Sequence, residues 1–266
     1  MSLEQLILLA LIQGITEFLP VSSSGHLSLV HELTGWADQG VLVDVAVHAG
    51  TLGAVLLYFR RDVWAMTLGG LTLLRGELTD DGRMALYIVG ATIPVIIAGY
   101  FLLSTGYVDL LRAAAIVAWA NLFFAGVLWI TDRAGAVTRR LEQMDWSAAM
   151  IIGGAQVLAL IPGASRAGVT ISAARMLGFE REGAARFSML LSIPTILGGA
   201  VASSIKVYEA GDVSLGADMG IAALLSFVVA LAAIHLFLKM MTHMTLTPFV
   251  IYRVVLGVGL LGWLYL

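Results

Sequence analysis

Six stretches of this chain, at about 42–59, 84–104, 112–131, 184–205, 217–238 and 246–266, are apolar over close to the ~20 residues an α-helix needs to cross a bilayer. Short connectors rich in Arg, Asp, Glu and Gly separate them. A soluble domain would need a polar coat around six such helices, and this chain cannot supply one. Only 12% of its residues are charged and 59% are hydrophobic, against roughly 25% charged in soluble domains. Lipid is therefore the solvent for most of the chain, and a disordered chain is excluded by the same numbers. A membrane β-barrel would show segments of about 10 residues with period-two alternation instead. The net charge of −3 gives no support to a nucleic-acid partner. The absence of cysteine removes disulfides, thiolate metal sites and a cysteine nucleophile. The first Lys or Arg is Arg60, so no positively charged leader segment is expected.

Two further apolar segments are broken. Residues 3–31 run apolar to Leu19 and then meet Pro20-Val21-Ser22-Ser23-Ser24-Gly25-His26. Residues 147–178 run apolar to Ile161 and then meet Pro162-Gly163-Ala164-Ser165-Arg166-Ala167-Gly168. Each half is too short to span comfortably. Irregular backbone at membrane depth is tolerated only where protein or a watery cavity surrounds it, so both segments are expected to form re-entrant helical hairpins. They also look like a repeat, since Pro20 and Pro162, and likewise Ser23 and Ser165, are 142 residues apart. A hairpin followed by three spans occurs twice, which inserts the second unit upside down, as in the inverted repeats of many transporters. The expected fold is all-α: a single integral membrane domain over 1–266, with six spans, two hairpins and halves at about 1–133 and 147–266.

Basic residues orient this arrangement, because cytoplasmic connectors collect Lys and Arg. If the first hairpin dips in from outside, the inner connectors hold eleven: Arg60, Arg61, Arg75, Arg83, Arg133, Arg139, Arg140, Arg175, Arg181, Arg186 and Lys239. The outer connectors hold two, Arg112 and Lys206, while Arg166 and Arg253 fall within the membrane.

The broken segments concentrate the polar chemistry. Gln13 and Glu17 are four apart and share a helix face. An acid in an apolar run marks a functional site by default. Ser22, Ser23 and Ser24 lie at an expected helix N-terminus, where unpaired N–H groups suit a phosphate oxyanion. His26 can act as acid or base near neutral pH. The second turn contributes Ser165, Thr170 and Arg166, whose planar guanidinium suits phosphate. These are the parts for phosphoryl chemistry, with the carboxylate able to share a divalent cation with phosphate oxygens. Plainer readings stand beside these. Turn serines also serve as caps, and Glu17 with Arg166 also reads as a mutual salt bridge that stabilises the hairpins. Asp44 and His48 read as a solvated span end, and Arg253 as a tie between helices. Trp36, Trp64, Trp146 and Trp263 read as interfacial anchors.

Gln13-Gly-Ile-Thr-Glu17 followed by Pro20-Val-Ser-Ser-Ser-Gly-His26 resembles the (E/Q)-x-x-x-E and P-x-S-S-x-x-H signatures of the undecaprenyl pyrophosphate phosphatases, the bacitracin-resistance family. Pro162-Gly-Ala-Ser165-Arg166-Ala-Gly-Val-Thr170 is similar to that family's P-G-x-S-R-S-x-x-T motif, and Pro248-Phe-Val-Ile-Tyr-Arg253 to its last helix. The resemblance implies a multi-pass phosphatase of the bacterial inner (plasma) membrane, with its site open to the outer face. Its substrate would be an isoprenoid pyrophosphate lipid, cleaved to the monophosphate carrier used in cell-wall synthesis, with dependence on magnesium or calcium. Glu17 would be an essential acid linked to the metal, with Gln13 beside it. Ser23 would be the candidate nucleophile, His26 its acid/base partner, and Arg166 the pyrophosphate clamp, with Ser22, Ser165 and Thr170 around the substrate. Two positions depart from the pattern: Gln13, where many members have Glu, and Ala167, where the motif has a second Ser. Whether Ser23, His26 or water attacks phosphorus stays open at this level. So does the rival reading, a secondary transporter or lipid flippase with a mid-membrane polar site, and the plainer one of a non-catalytic scaffold. Nothing in the sequence opposes a homodimer.

Overall fold

The computed structural model describes residues 2–36, 40–105, 111, 113–135, 137–210 and 217–266. Among these residues the chain forms eleven α-helices and no strand beyond one isolated bridge between Arg139 and Phe179. In order they are α1 (Leu3–Thr16), α2 (Ser23–Thr34), α3 (Gly40–Tyr58), α4 (Arg60–Thr72), α5 (Asp80–Thr105) and α6 (Ala114–Ala134), then α7 (Trp146–Gln156), α8 (Arg166–Met176), α9 (Arg181–Ala210), α10 (Ala217–Met241) and α11 (Thr247–Tyr265). Six of them, α3, α5, α6, α9, α10 and α11, are long and apolar enough to cross a membrane, at the six positions expected. The shortest have 19 residues, about 28 Å at 1.5 Å per residue, against a hydrocarbon core of ~30 Å. Pro94 and Pro194 sit inside α5 and α9 without ending them. By contrast α1 and α7 are apolar but only 14 and 11 residues long.

Small residues set the helix packing, as expected where lipid gives no hydrophobic contrast to drive helices together. A Cβ on Gly50 of α3 would collide with the Ala223 carbonyl of α10, and one on Gly14 of α1 would lie 2.8 Å from Val229 Cβ. Ser226 Oγ donates to Val47 O at 2.9 Å across the same α3–α10 contact. On the other side Gly153 of α7 lies against the Ala91 backbone of α5, and Gly257 of α11 against Leu122 of α6.

One end of the bundle gathers most of the basic connectors. Arg186 pairs with Asp62 at 2.9 Å, joining the start of α9 to α4. Asp132, at the end of α6, accepts from Arg181 Nε at 2.7 Å and from the Leu246 N–H at 3.0 Å. Asp145 caps α7 by accepting from the Ala148 N–H at 2.8 Å. That bond, with the Arg139 guanidinium at 2.6 Å, holds its carboxyl below the usual carboxylate range. Arg112 and the side chain of Lys206 lie outside the described residues.

Candidate active site

Two turns meet inside the bundle. The first joins α1 to α2 and the second joins α7, through a 3-10 turn at Val157–Leu160, to α8. Ser22 and Ser165 are the non-glycine residues with positive φ among the described residues, at 74° and 72°. Each is an N-cap: Ser22 Oγ accepts from the Gly25 N–H at 3.3 Å, and Ser165 Oγ from the Gly168 N–H at 3.1 Å. A left-handed backbone costs an L-residue roughly 1–2 kcal/mol, and a cap is worth ~1 kcal/mol. Ser22 Oγ gains a second donor, the Gly163 N–H of the other turn, at 3.2 Å. The geometry thus pairs Ser22 with Ser165 and Ser23 with Arg166, a spacing of 143 residues, where the letters align Ser23 with Ser165 at 142. The second turn is one residue longer between its proline and its cap.

Glu17 is the hub of the site and is buried. Its Oε2 accepts from Ser23 Oγ at 2.7 Å and from Gln13 Nε2 at 3.0 Å, and its Oε1 from Arg166 Nη2 at 3.1 Å. Arg166 also donates to Ser188 O at 2.8 Å through Nη1 and to Glu17 O at 3.2 Å through Nη2. Ser23 and Arg166 both stand at the first helical position, of α2 and α8, so both face the positive ends of helices. Hydroxyl, carboxylate and guanidinium therefore lie together where two helix N-termini converge, a place suited to an anion.

The remaining expected residues divide. Ser165 and Thr170 are buried and serve the backbone: Thr170 Oγ1 donates to Arg166 O at 2.8 Å and lies 2.7 Å from Ser188 Oγ. Both ring nitrogens of His26 bond to groups other than Ser23. A carbonyl only accepts, so His26 Nδ1–H donates to Ser22 O at 2.7 Å, and its Nε2 accepts the Tyr252 hydroxyl at 2.6 Å. The two rings stack with centroids 5.7 Å apart. The imidazole beside Glu17 is His48 instead, with Nε2 3.8 Å from Glu17 Oε2 and Nδ1–H donating to Asp44 O at 2.7 Å. His48, Ser188 and Tyr252 are what sequence reasoning missed. His48 lies in an apolar span 31 residues from Glu17, and no spacing rule links the two.

Gln13 Oε1 is buried without a hydrogen-bond partner. Gln13 Nε2 is the atom that faces Glu17, so Gln13 would join the Glu17 carboxylate in holding a magnesium-like cation, shared with substrate phosphate oxygens, once the amide turns Oε1 inward. Among the described residues no group of three or more His, Cys, Asp or Glu forms a cage that would hold a metal unaided. A cavity of about 550 Å³ opens at the basic end between Asp62, Asp81, Glu142 and Arg186. It shares no lining residue with the two turns, and convergent polar groups rather than volume mark the site.

The chain is similar to known proteins over its length. The family described as bacitracin resistance protein BacA matches residues 6–259. A protein of Jannaschia sp. (strain CCS1) named undecaprenyl-diphosphatase is 51% identical over 264 residues, covering 98% of both chains. One of the same name from Ruegeria sp. (strain TM1040) is 51% identical over 262 residues, again 98% of each. A third, from Roseobacter denitrificans (strain ATCC 33942 / OCh 114), is 48% identical over 266 residues and the full length of both.

Proposed function

The chain belongs to the bacitracin resistance protein BacA family, and from that premise we propose that it is an undecaprenyl-diphosphate phosphatase whose nucleophile is Ser23 and whose base is Glu17. The observation that carries the assignment of roles is the 2.7 Å bond from Ser23 Oγ to Glu17 Oε2. A serine hydroxyl is a weak nucleophile until a neighbouring base takes its proton. Ser23 Oγ attacks the terminal phosphorus of the lipid pyrophosphate and its proton passes to Glu17. The P–O bond to the inner phosphate breaks, and the lipid monophosphate leaves. Water then releases phosphate from Ser23, so that one pyrophosphate and one water give one monophosphate and one phosphate. Arg166 binds the oxygens on which charge builds, together with the N-termini of α2 and α8. A divalent cation bound by Glu17, Gln13 and the substrate would supply further charge neutralisation. His26, bonded to Ser22 O and Tyr252, holds the first turn in place.

The same reading takes α1–α2 and α7–α8 as re-entrant hairpins of an inverted repeat in the bacterial inner membrane, reached by lipid from the outer face. Four observations support it. Helices α1 and α7 are too short to span, the two turns touch through Ser22 and Gly163, both cap serines carry the same left-handed backbone, and the basic connectors gather at one end.

The test is phosphate release from a polyprenyl pyrophosphate by purified protein, with and without chelator, alongside Ser23→Ala and Glu17→Gln. We expect wild-type turnover that chelator abolishes. Each variant should stay folded and lose about 100-fold or more, the usual scale for a lost base or nucleophile. No release in added magnesium or calcium would sink the reading. Near-normal turnover by Ser23→Ala would transfer the attack to water.

A further inference from the structure

Helix α11 carries a charge that this reaction does not use. Arg253 is fully buried, and among the described residues no carboxylate pairs with it. Neutral oxygens satisfy it instead. Nε donates to Asn121 Oδ1 at 2.9 Å, Nη1 to Pro20 O at 3.2 Å, and Nη2 to Gly163 O at 2.8 Å and Ala164 O at 3.1 Å. Asn121 is itself fixed, because its Nδ2 donates to the Arg253 carbonyl at 2.7 Å. Gly168 leaves room for the guanidinium, since a Cβ there would lie 2.9 Å from Nη1. Packing does not require this arrangement, because an apolar side chain of similar volume would fill the space without stripping a cation of its water.

The three carbonyls give the reason. Pro20 lies two residues before Ser22, and Gly163 and Ala164 immediately precede Ser165. One planar fork therefore grips both turns at once, from a helix that belongs to neither. In a trans peptide the N–H lies opposite the C=O. Drawing the Ala164 carbonyl onto Arg253 accordingly fixes the plane of the Ala164–Ser165 peptide, which leads straight into the cap of α8. Lysine could not replace it, because a point ammonium with three donors lacks the flat fork that reaches Asn121 and both turns together.

We propose that Arg253 is a positioning residue of the phosphate site, setting the spacing between the N-termini of α2 and α8 so that Ser23 and Arg166 address one diphosphate group together. The proposal rests on the phosphatase reading, and binding without turnover separates the two. The probe is inorganic pyrophosphate, titrated calorimetrically into full-length purified wild type, Arg253→Lys, Arg166→Ala and the double variant. Arg253→Lys should bind about tenfold more weakly, the loss of one or two hydrogen bonds to a charged group. The double variant should bind no more weakly than Arg166→Ala alone, because aligning the turns is of no use once the clamp is gone. Losses that add, or Arg253→Lys binding within about twofold of wild type, would overturn the proposal. Should Arg253→Lys fail to fold, Asn121→Ala removes one acceptor and leaves the rest. Binding about threefold weaker is then expected, and unchanged binding overturns the proposal. Wild-type protein that neither binds pyrophosphate nor releases phosphate removes the phosphatase reading and this proposal together. Wild-type turnover with an unaffected Arg253→Lys removes the proposal alone.

Discussion

Ser22 does three jobs with one small side chain. Its backbone takes the left-handed conformation that reverses the chain, its hydroxyl caps α2, and the same oxygen accepts the Gly163 N–H of the opposite turn. These roles separate by substitution. Ser22→Gly loses the oxygen but relieves the positive φ, whereas Ser22→Ala loses the oxygen and keeps the strain. Denaturant melts should therefore find Ser22→Ala less stable than Ser22→Gly by roughly 1–2 kcal/mol; equal stabilities would mean that φ at this position carries no cost. Much at this scale was legible beforehand. Glu17, Ser23 and Arg166 stand out as polar residues in apolar runs, and the structure brings all three together. The hydrogen-bond partners of His26 were not legible, because an imidazole's neighbours in sequence do not say which oxygen its Nδ1 will meet.

Among the elements, the two helix-breaking turns could be read from Pro, Gly and Ser, but the alignment of their caps could not. Letters aligned the turns at 142 residues, while cap geometry pairs them at 143. A cap is defined by φ and by the N–H it receives, and the extra residue of the second turn is invisible in the shared Pro and Ser. Helix contacts follow a different logic, that of small residues. Gly50 sits where α3 and α10 nearly touch, whereas Gly126 of α6 faces open space. Gly50→Ala should destabilise the folded protein by about 1–3 kcal/mol, the cost of overpacking. Gly126→Ala should be neutral or gain about 0.4–1 kcal/mol from reduced backbone freedom. Thermal melts in one detergent compare the two, and equal midpoints would show that the α3–α10 approach is not close.

At the scale of the whole molecule, eleven basic residues carry the expected orientation. Their connectors meet at one end through Asp62–Arg186 and through Asp132, which binds Arg181 and the Leu246 N–H. The positive-inside rule predicts that this end faces the cytoplasm. A chain without cysteine is already suited to the test. Thr138→Cys lies in the α6–α7 connector and Thr105→Cys at the end of α5. An impermeant maleimide should label position 105 in intact cells and position 138 only after permeabilisation; the reverse pattern would invert the molecule. The sequence by itself determined the class, the six spans and the two places where helices break, because apolar length, proline and basic charge act locally along the chain. Only the tertiary structure decided that His48 sits beside Glu17, and that Arg253 closes on Pro20, Gly163 and Ala164. The physical reason is the solvent. In water an apolar stripe announces which face of a helix is buried, but in lipid the outward and inward faces are apolar alike, so the pattern cannot say which helices meet.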